Sequence, residues 1–568
     1  MSKAEATVEE LVGMIERGEL RLPEMQRRYV WRSPRVRDLL DSLYRGYPSG
    51  AILLWETDEV VPLQEFAVAQ QNNPYKSTRL LLDGQQRLTS LSAVIRGELV
   101  RVRGRKKPID LLFNLEHPDQ LATVTEVNEN GDDDDDDDLG DDEADVNKDE
   151  LQRRFDKMAF VVATQKLEQL PHWVKVTEVF KTDEDAPFLE RAGIEKISDP
   201  RFKKYSQRLA KLRAIRKYMY RMDVLERTLS YDEVTEIFVR VNSLGAKLRG
   251  SDLALAQITA KWRGALKIFQ AFQRQCENEG FELDLGLFLK NLVVFATGQS
   301  RFLTVGNLTA DVLKSAWDES VPGMQFALNF LRSNARIHSE SLLSSPFLIV
   351  CLAFYGHKHG YQLSQQDASR LRHWVMLANA KGRYSRGSSE TILDQDLALL
   401  RQGASADELI DRLRLQMGRL DITPDELEGR NQRSALFKTM FLAFKAGGAR
   451  DWQSQLEISL EHTGNTHRLQ FHHIFPKAIL KGSVDPREAD DIANLAFIGG
   501  RTNRNIGKDK PADYFPDAIA KSGILAFQAQ CIPTDPDSLS VGVYKQFLVS
   551  RRKLIADRLN EFLETGPG

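Results

Sequence analysis

Cysteine is scarce in this 568-residue chain, which has only three, at widely separated positions. They form neither a CxxC pair nor a disulfide framework, which is typical of a protein from the reducing cytoplasm. The sequence has no long uncharged apolar run and does not open with a basic-then-apolar segment, so neither a membrane span nor a signal peptide is predicted. A phosphate-binding GxxxxGK[ST] motif is also absent. We therefore expect a cytoplasmic protein whose sites use side chains other than thiols.

The net charge of −3 conceals an uneven distribution. Residues 132–150 hold thirteen acidic side chains and one lysine, so the rest of the chain carries +9. Basic clusters occur at residues 101–107 (RVRGRKK) and 201–221 (RFKKYSQRLAKLRAIRKYMYR), although a solvated face is the commoner role of one such cluster. The acidic run is typical of a disordered insertion, which we place at residues 128–150. The net positive charge of the chain outside the acidic run favours a polyanionic partner.

The chain length predicts two to four domains. Mixed helix and strand signals occupy residues 1–260, helical periodicity dominates residues 261–430, and mixed signals return over residues 431–568. We therefore predict an α+β, multidomain protein with a mostly helical middle. Short buried strands are expected at residues 51–55, 80–82, 159–163 and 222–225. Helices are expected at residues 436–446 and 544–563, and a helical stretch broken by a turn at residues 242–245 is expected at 231–258.

Residues 471–511 read FHHIFPKAILKGSVDPREADDIANLAFIGGRTNRNIGKDKP, and they contain the residue types of a phosphodiesterase site. A neutral imidazole suits the base that activates water near neutral pH. A second imidazole with a carboxamide oxygen can hold a divalent ion that binds the phosphate. Neighbouring side chains on a strand point to opposite faces, so His472 and His473 either sit at an irregular strand end or have different roles. The alternative is a buried strand with one satisfied core histidine.

The same residues resemble the HNH nucleases, also called ββα-metal or His-Me finger nucleases. Strands at residues 471–475 and 495–498, followed by a helix at 501–506, fit that layout. The resemblance implies that His473 is the general base and that His472, where many relatives have Asp, is a ligand of Mg²⁺ or Mn²⁺. It further implies the following roles: Asn503 as the second metal ligand with Asn505 as a rival, Asn494 orienting the base by hydrogen bonding, and Lys508 and Lys510 near the scissile phosphate.

A second group of candidate site residues lies in two N-terminal motifs, PEMQRRYVW at residues 23–31 and LLLDGQQRLTSL at residues 80–91. The second motif is an apolar strand that runs through Asp83 and Gly84 into a helix start, where backbone N–H groups can bind phosphate. Arginine guanidinium groups are suited to hold polyphosphate. The structural alternative is a strand–helix turn capped by Asp83 with Arg87 facing solvent.

These motifs, together with EIFVRVNSLGAKLRGSDLALA at residues 236–256, resemble the N-terminal domain of the GmrSD-type, modification-dependent (type IV) restriction endonucleases. That domain resembles the ParB/sulfiredoxin fold, and family members typically carry a C-terminal HNH domain. The resemblance implies a nucleoside triphosphate (NTP) hydrolysis motif made of Asp83, Gly84, Gln85, Gln86 and Arg87. It implies a phosphate- or DNA-facing wall made of Gln26, Arg27 and Arg28. Asn242 would reach the same pocket, with a left-handed turn before Gly245 as its alternative role. Tyr29 and Trp31 would stack on a base or nucleotide, although core packing is the commoner fate of such aromatics.

Two hypotheses for the function follow. The first is an NTP-dependent endonuclease that cuts foreign, modified DNA in antiphage defence, with a possible homo-oligomer. The second is a nucleotide-gated DNA-binding or regulatory module whose HNH region nicks weakly or is structural. A zinc-stabilised finger is a third reading, but it lacks the cysteines such folds commonly use.

Overall fold

A computed structural model describes residues 2–26, 29, 31–71, 78–103, 105, 107–121, 155–244 and 249–566. The chain divides into two compact units, Met1–Leu266 and Lys267–Gly568. The acidic insertion expected at residues 128–150 lies outside the described residues. The predicted division into three domains, with boundaries at residues 260 and 430, stays a prediction.

The first unit is built on a mixed six-stranded sheet with the strand order β1-β9-β3-β5-β2-β4. Its central pair, β3 and β5, is antiparallel, and each of these strands also pairs in parallel with an outer neighbour. A smaller antiparallel sheet has the order β7-β6-β8. The strands of this unit are β1 Ser2–Thr7, β2 Leu20–Pro23, β3 Ile52–Thr57, β4 Leu63–Gln64, β5 Thr78–Asp83, β6 Leu111–Asn114, β7 Phe160–Val162, β8 Trp173–Lys175 and β9 Met219–Leu225.

Apolar side chains on both faces explain why β5 is a central strand. Leu81 packs into one buried cluster, whereas Leu80 and Leu82 pack into another on the opposite face. Each fully buried leucine stabilises the fold by about 1.5–3 kcal/mol. Helices therefore cover the sheet on both sides, and Asp83 lies where the apolar run ends.

Helix boundaries in this unit follow local capping signals. Thr7 and Glu10 form a reciprocal capping box at the start of the first helix, and Gly46, with a φ of 78°, ends the second. The helices of this unit are Val8–Glu16, Ser33–Arg45, Gln85–Ile95, Gln165–Glu168, Val176–Lys181, Ala186–Arg191, Pro200–Arg213, Tyr231–Leu244 and Gly250–Lys261.

The second unit is mainly helical and contains one two-stranded antiparallel sheet, β10 Leu469–His473 and β11 Leu495–Gly499. None of the helices within the described ranges is long and apolar enough to cross a membrane. The helix Ala265–Asn278 begins two residues before the unit boundary. The further helices are Leu285–Thr297, Ala310–Ser333, Phe347–Lys358, Gln365–Ala380, Ser389–Arg401, Ala406–Met417, Pro424–Leu427, Ala435–Ala446, Gly464–His467, Lys477–Leu480, Pro486–Ala489, Gly500–Ile506, Pro511–Ser522, Ile524–Gln528 and Tyr544–Thr565.

The predicted α+β, multidomain architecture is confirmed at this level. The strand expected at residues 471–475 ends two residues early because Ile474 and Phe475 leave the pairing with β11. The ParB/sulfiredoxin-like and HNH descriptions stay predictions.

Candidate active site

The strands β10 and β11 and the helix Gly500–Ile506 form a ββα unit in which two glycines make the strand–helix junction. A Cβ on Gly500 would lie 2.5 Å from the carbonyl oxygen of Asn465, so a larger residue would displace the backbone. The buried carboxylate of Asp451 accepts hydrogen bonds from the Gly499 N–H (2.7 Å) and the Thr502 hydroxyl (2.9 Å). These contacts fix where the helix begins relative to the strands.

His472 is buried among aromatic rings and lies beside Asn503. The Tyr514 hydroxyl lies 3.0 Å from the Ile474 carbonyl oxygen and 3.1 Å from Nε2 of His472. Nδ1 of His472 lies 2.8 Å from the Asn503 Oδ1, and the Asn503 amide nitrogen donates to the Gln470 Oε1 (2.7 Å). In one tautomer of His472, Nδ1–H donates to Asn503 and Nε2 accepts from Tyr514. In the other, Nε2–H donates to Tyr514, and the Nδ1 lone pair faces the Asn503 oxygen.

Burial lowers the pKa of His472 to about 4, which outweighs the opposite effect of the hydrogen bond with Asn503. His472 is therefore neutral near pH 7 and carries one ring proton. In the tautomer with the proton on Nε2, Nδ1 and the Asn503 Oδ1 could both bind one cation. The sequence prediction paired these two residues as metal ligands, and the structure places them together.

His473 faces the other side of the strand and occupies a different environment. Its Nε2 lies 3.1 Å from the Asp490 Oδ1, which also accepts a hydrogen bond from the Lys477 ammonium (2.6 Å). Partial burial by itself raises the pKa of Asp490, but the bonds from His473 and Lys477 outweigh it and hold the pKa below its usual range. An ionised carboxylate only accepts, so His473 donates Nε2–H, and in the neutral ring Nδ1 then carries the lone pair. Within the described part of the chain, Nδ1 has no hydrogen-bond partner.

Asn494 does not make the predicted hydrogen bond to the base. Its buried carboxamide accepts from the Phe475 N–H (2.8 Å) and donates to the carbonyls of Phe475 and Ala489 (3.0 Å each). These three bonds use both amide protons and the oxygen. Asn494 therefore ties together the two ends of segment 475–489, which separates His473 from Asp490.

Three other predicted residues of this unit lie in the last turn of the helix or beyond its end. Asn505 donates to the Gln453 side chain (2.8 Å), whereas Asn503 faces His472, so the geometry favours Asn503 as the ligand. Lys508 is exposed and follows Gly507, which ends the helix with a φ of 58°. Lys510 is also exposed and precedes the helix Pro511–Ser522, which carries Tyr514.

Asp490 and Tyr514 are site residues that the sequence reasoning missed. Tyr514 lies 42 residues from His472, and no local pattern connects them. The sequence gives only a weak indication of Asp490, which is the first of two adjacent aspartates before residues 492–494 (IAN). In the described ranges, no three His, Cys, Asp or Glu side chains are placed to hold a metal ion.

The second candidate site lies where β5 ends and the helix Gln85–Ile95 begins. Gly84 has a φ of 98°, and a Cβ there would lie 2.4 Å from the Ile52 side chain. The residue must therefore be glycine. No side chain caps the N-terminus of this helix.

Arg87 is held by its own domain rather than facing solvent. Its guanidinium donates to the carbonyls of Ser49 and Ala51 and to the Asp83 carboxylate (3.0 Å). Only 15% of the Arg87 side chain is exposed, against 44% for Asp83. Asp83 is thus the accessible member of the pair.

The glutamines of the two motifs contact backbone groups or are buried. Gln26 donates to the carbonyls of Leu81 and Leu82 on β5. The Gln86 Oε1 accepts from the backbone N–H of Trp31 (3.2 Å), and Gln85 is buried. The predicted wall residues Arg27 and Arg28, and the side chain of Asn242, lie outside the described part of the structure.

The aromatic residues of the first motif pack against the core of the first unit. Tyr29 donates to the Ser90 hydroxyl (2.8 Å), which in turn donates to the Gln86 carbonyl. Trp31 is half-buried. Stacking of these rings on a base stays a prediction.

Several arginines of the basic cluster at residues 201–221 form ion pairs within the first unit. Three of its arginines, Arg208, Arg213 and Arg216, pair with Asp119, Asp185 and Asp183. The ββα unit differs, because several exposed cations in and around it have no acidic partner within the described ranges: Arg468, Lys481, Arg501 and Lys510.

Comparison with known proteins supports one part of the predicted resemblance. Residues 8–259 match the family model described as the GmrSD restriction endonuclease, N-terminal domain. An uncharacterized protein of Methanocaldococcus jannaschii is 23% identical over 551 residues, which cover 90% of this chain and 86% of that protein. The similarity therefore crosses both units. The family match supports a GmrSD-like, restriction-endonuclease-type assignment that rests on the N-terminal unit.

Proposed function

We propose that this protein is an NTP-dependent endonuclease that cleaves foreign, modified DNA in antiphage defence. The observation that carries the proposal is the close approach of His472 Nδ1 and Asn503 Oδ1 (2.8 Å) beside His473 in a ββα unit. The match of residues 8–259 to a restriction endonuclease domain supports the same class of activity.

The residues present fit a divalent cation. Two ligands at adjacent positions of an octahedral Mg²⁺ are about 3 Å apart, given metal–ligand distances of about 2.1 Å. The 2.8 Å separation between His472 Nδ1 and Asn503 Oδ1 is close to that value. When bound, Mg²⁺ or Mn²⁺ would neutralise charge that develops on the phosphate and leaving oxygen. With the metal bound, Tyr514 would accept the Nε2–H of His472 and so keep Nδ1 deprotonated.

His473 would act as the general base. Its free Nδ1 accepts a proton from the attacking water, and Nε2 keeps its proton. Lys508, Lys510 and the unpaired cations of the ββα unit would bind the DNA backbone, since phosphate contacts supply most of the affinity of such proteins for DNA.

The first unit would bind the nucleotide through a ParB/sulfiredoxin-like site. The uncapped N-terminus of helix Gln85–Ile95 offers N–H groups to a phosphate. Asp83 would hold a phosphate-bound cation or position water. A bound phosphate would compete with the present acceptors of Arg87 for its guanidinium group. Gln26, Gln85, Gln86 and Asn242 complete the proposed site, together with Arg27 and Arg28.

A substrate panel with matched asparagine variants tests the nuclease. The full chain is incubated with modified and plain phage DNA, nucleotide, and Mg²⁺ or Mn²⁺. We expect metal-dependent cleavage of modified DNA by the wild type and by Asn505→Ala, and its loss in Asn503→Ala. Equal cleavage by Asn503→Ala and the wild type would contradict the ligand assignment.

The nucleotide site has its own test. Asp83→Ala and Arg87→Ala should lose NTP hydrolysis, whereas Arg79→Ala, an exposed arginine of β5 paired with Glu56, should retain it. Undiminished hydrolysis in both motif variants would refute the site.

One observation favours the second candidate, a nucleotide-gated DNA-binding module. With its proton on Nδ1, His472 donates to the Asn503 Oδ1 (2.8 Å) and accepts from the Tyr514 hydroxyl (3.1 Å), so the buried ring is satisfied without a cation. A wild-type protein that binds DNA in a nucleotide-dependent way, but binds no Mn²⁺ and leaves DNA intact, would establish this reading.

A further inference from the structure

The carboxylate of Asp490 is the only described side chain that faces Nε2 of His473. It comes from the segment between the two strands, 17 residues along the chain. A histidine held at one nitrogen by a carboxylate has a fixed tautomer and a fixed ring orientation. The lone pair of its other nitrogen then points in one fixed direction.

Several contacts hold Asp490 at this distance. The next residue, Asp491, is fully buried and accepts hydrogen bonds from the Arg552 guanidinium (2.6 Å) and the Gly429 N–H (3.0 Å). Arg551, also buried, donates to the carbonyls of Ala493 (2.7 Å) and Leu495 (2.8 Å). Both arginines belong to the helix Tyr544–Thr565. The backbone on the C-terminal side of Asp490 is therefore fixed by that helix.

Lys477 and Asn494 fix the opposite side of the same segment. The Lys477 ammonium binds the oxygen that faces His473, and half of the lysine side chain is exposed. Asn494 ties the backbone of Phe475 to that of Ala489, the residue before Asp490. Asp490 is thus held by its neighbours on both sides and by a cation.

We propose that Asp490 is a positioning residue that holds His473 with Nδ1 directed at the attacking water. This inference rests on the proposed nuclease function. As Nδ1 takes one proton from water, the water oxygen forms the new P–O bond and the leaving oxygen departs with the electrons of the old one. Asp490 stays ionised throughout and stabilises the imidazolium through the Nε2–H bond.

Single-turnover cleavage by the full chain tests the role of Asp490. Asp490→Ala should lower the rate about tenfold to a hundredfold, a part of what general base catalysis provides. The DNA concentration for half-maximal rate and the affinity for Mn²⁺ should stay within about twofold. Asp490→Glu should restore part of the rate. The matched control is Asp517→Ala, which removes an exposed carboxylate from the helix Pro511–Ser522 and should cleave like the wild type.

Nitrogen NMR of histidine-labelled protein gives a readout that does not depend on cleavage. In the wild type, His473 should show one protonated and one unprotonated ring nitrogen, and in Asp490→Ala the two signals should move together as tautomers average. Unchanged signals and an unchanged rate in Asp490→Ala, with His473→Ala inactive, would overturn the inference and leave the nuclease standing. A wild type that cleaves no DNA would instead defeat the proposed function.

Discussion

Neighbouring histidines acquire different chemistry here because the side chains of a strand alternate between its faces. His472 points into a buried aromatic cluster, where burial lowers its pKa to about 4. His473 points to the partly exposed side and meets Asp490. The sequence predicted two roles or an irregular strand end, and the alternation along β10 accounts for the two environments. It could not predict Asp490 or Tyr514, since long-range folding alone brings them to the histidines.

Tyr514 provides a residue-scale prediction about metal affinity. Tyr514→Phe removes the acceptor that would fix the metal-binding tautomer of His472, so the affinity for Mn²⁺ should fall about tenfold to a hundredfold in calorimetric titration. Tyr544→Phe is the matched control, because that hydroxyl donates to the Glu488 carbonyl and does not contact His472. An equal loss in both variants would show that the effect is not specific to His472.

His117, in the first unit, provides a prediction about pH. Its Nδ1–H donates to the Pro118 carbonyl, Nε2 accepts from the Tyr44 hydroxyl, and burial lowers its pKa to about 4. The unfolded chain binds this proton near pH 6.5, so the stabilisation is complete above that pH and is lost as the pH falls towards 4. The slope of the unfolding free energy should reach at most about 1.4 kcal/mol per pH unit from this group. Chemical denaturation of His117→Gln should show a weaker slope over that window, and an unchanged slope would refute the assignment.

At the scale of elements, several strands with adjacent buried residues were predictable. β3, β5, β7 and β11 carry adjacent buried residues, and each was expected within a few positions. β9, where buried and exposed residues alternate at first, was also expected, whereas β6, whose four residues are all buried, was not. β1, with the sequence SKAEAT, exposes four of its six residues and gives no apolar pattern. Its position comes from antiparallel pairing with β9, which is a tertiary contact.

The C-terminal helix should contribute to stability through one buried ion pair. Arg552→Met leaves the Asp491 carboxylate buried without its cation and should lower the free energy of unfolding of the second unit by about 3–5 kcal/mol. Arg558→Met, which breaks an exposed pair with Glu561 on the same helix, should change it by less than about 1 kcal/mol. Denaturant titrations of the two variants measure these changes. Similar decreases in the free energy of unfolding would show that burial of the pair does not increase its contribution to stability.

At the scale of the whole molecule, the two candidate sites lie in different units. The family match covers the first unit, and the similarity to the archaeal relative continues through the second. Motifs with fixed spacing made the N-terminal resemblance predictable. The hydrogen bonds of Arg87 were not predictable, since the carbonyls to which it donates lie 36 and 38 residues away along the chain. Allosteric control of cleavage by nucleotide requires a free-energy coupling between the units, which the Asp83→Ala protein should lack.

The most direct test of the central claim is the single-turnover rate of DNA cleavage by His473→Ala in the presence of Mg²⁺ and nucleotide. His467→Ala, which removes an exposed histidine at the end of the helix Gly464–His467, is the matched control. We expect the control to cut at the wild-type rate and His473→Ala to cut at least about a hundredfold more slowly, as loss of a general base implies. Cleavage by His473→Ala at the wild-type rate would contradict the account.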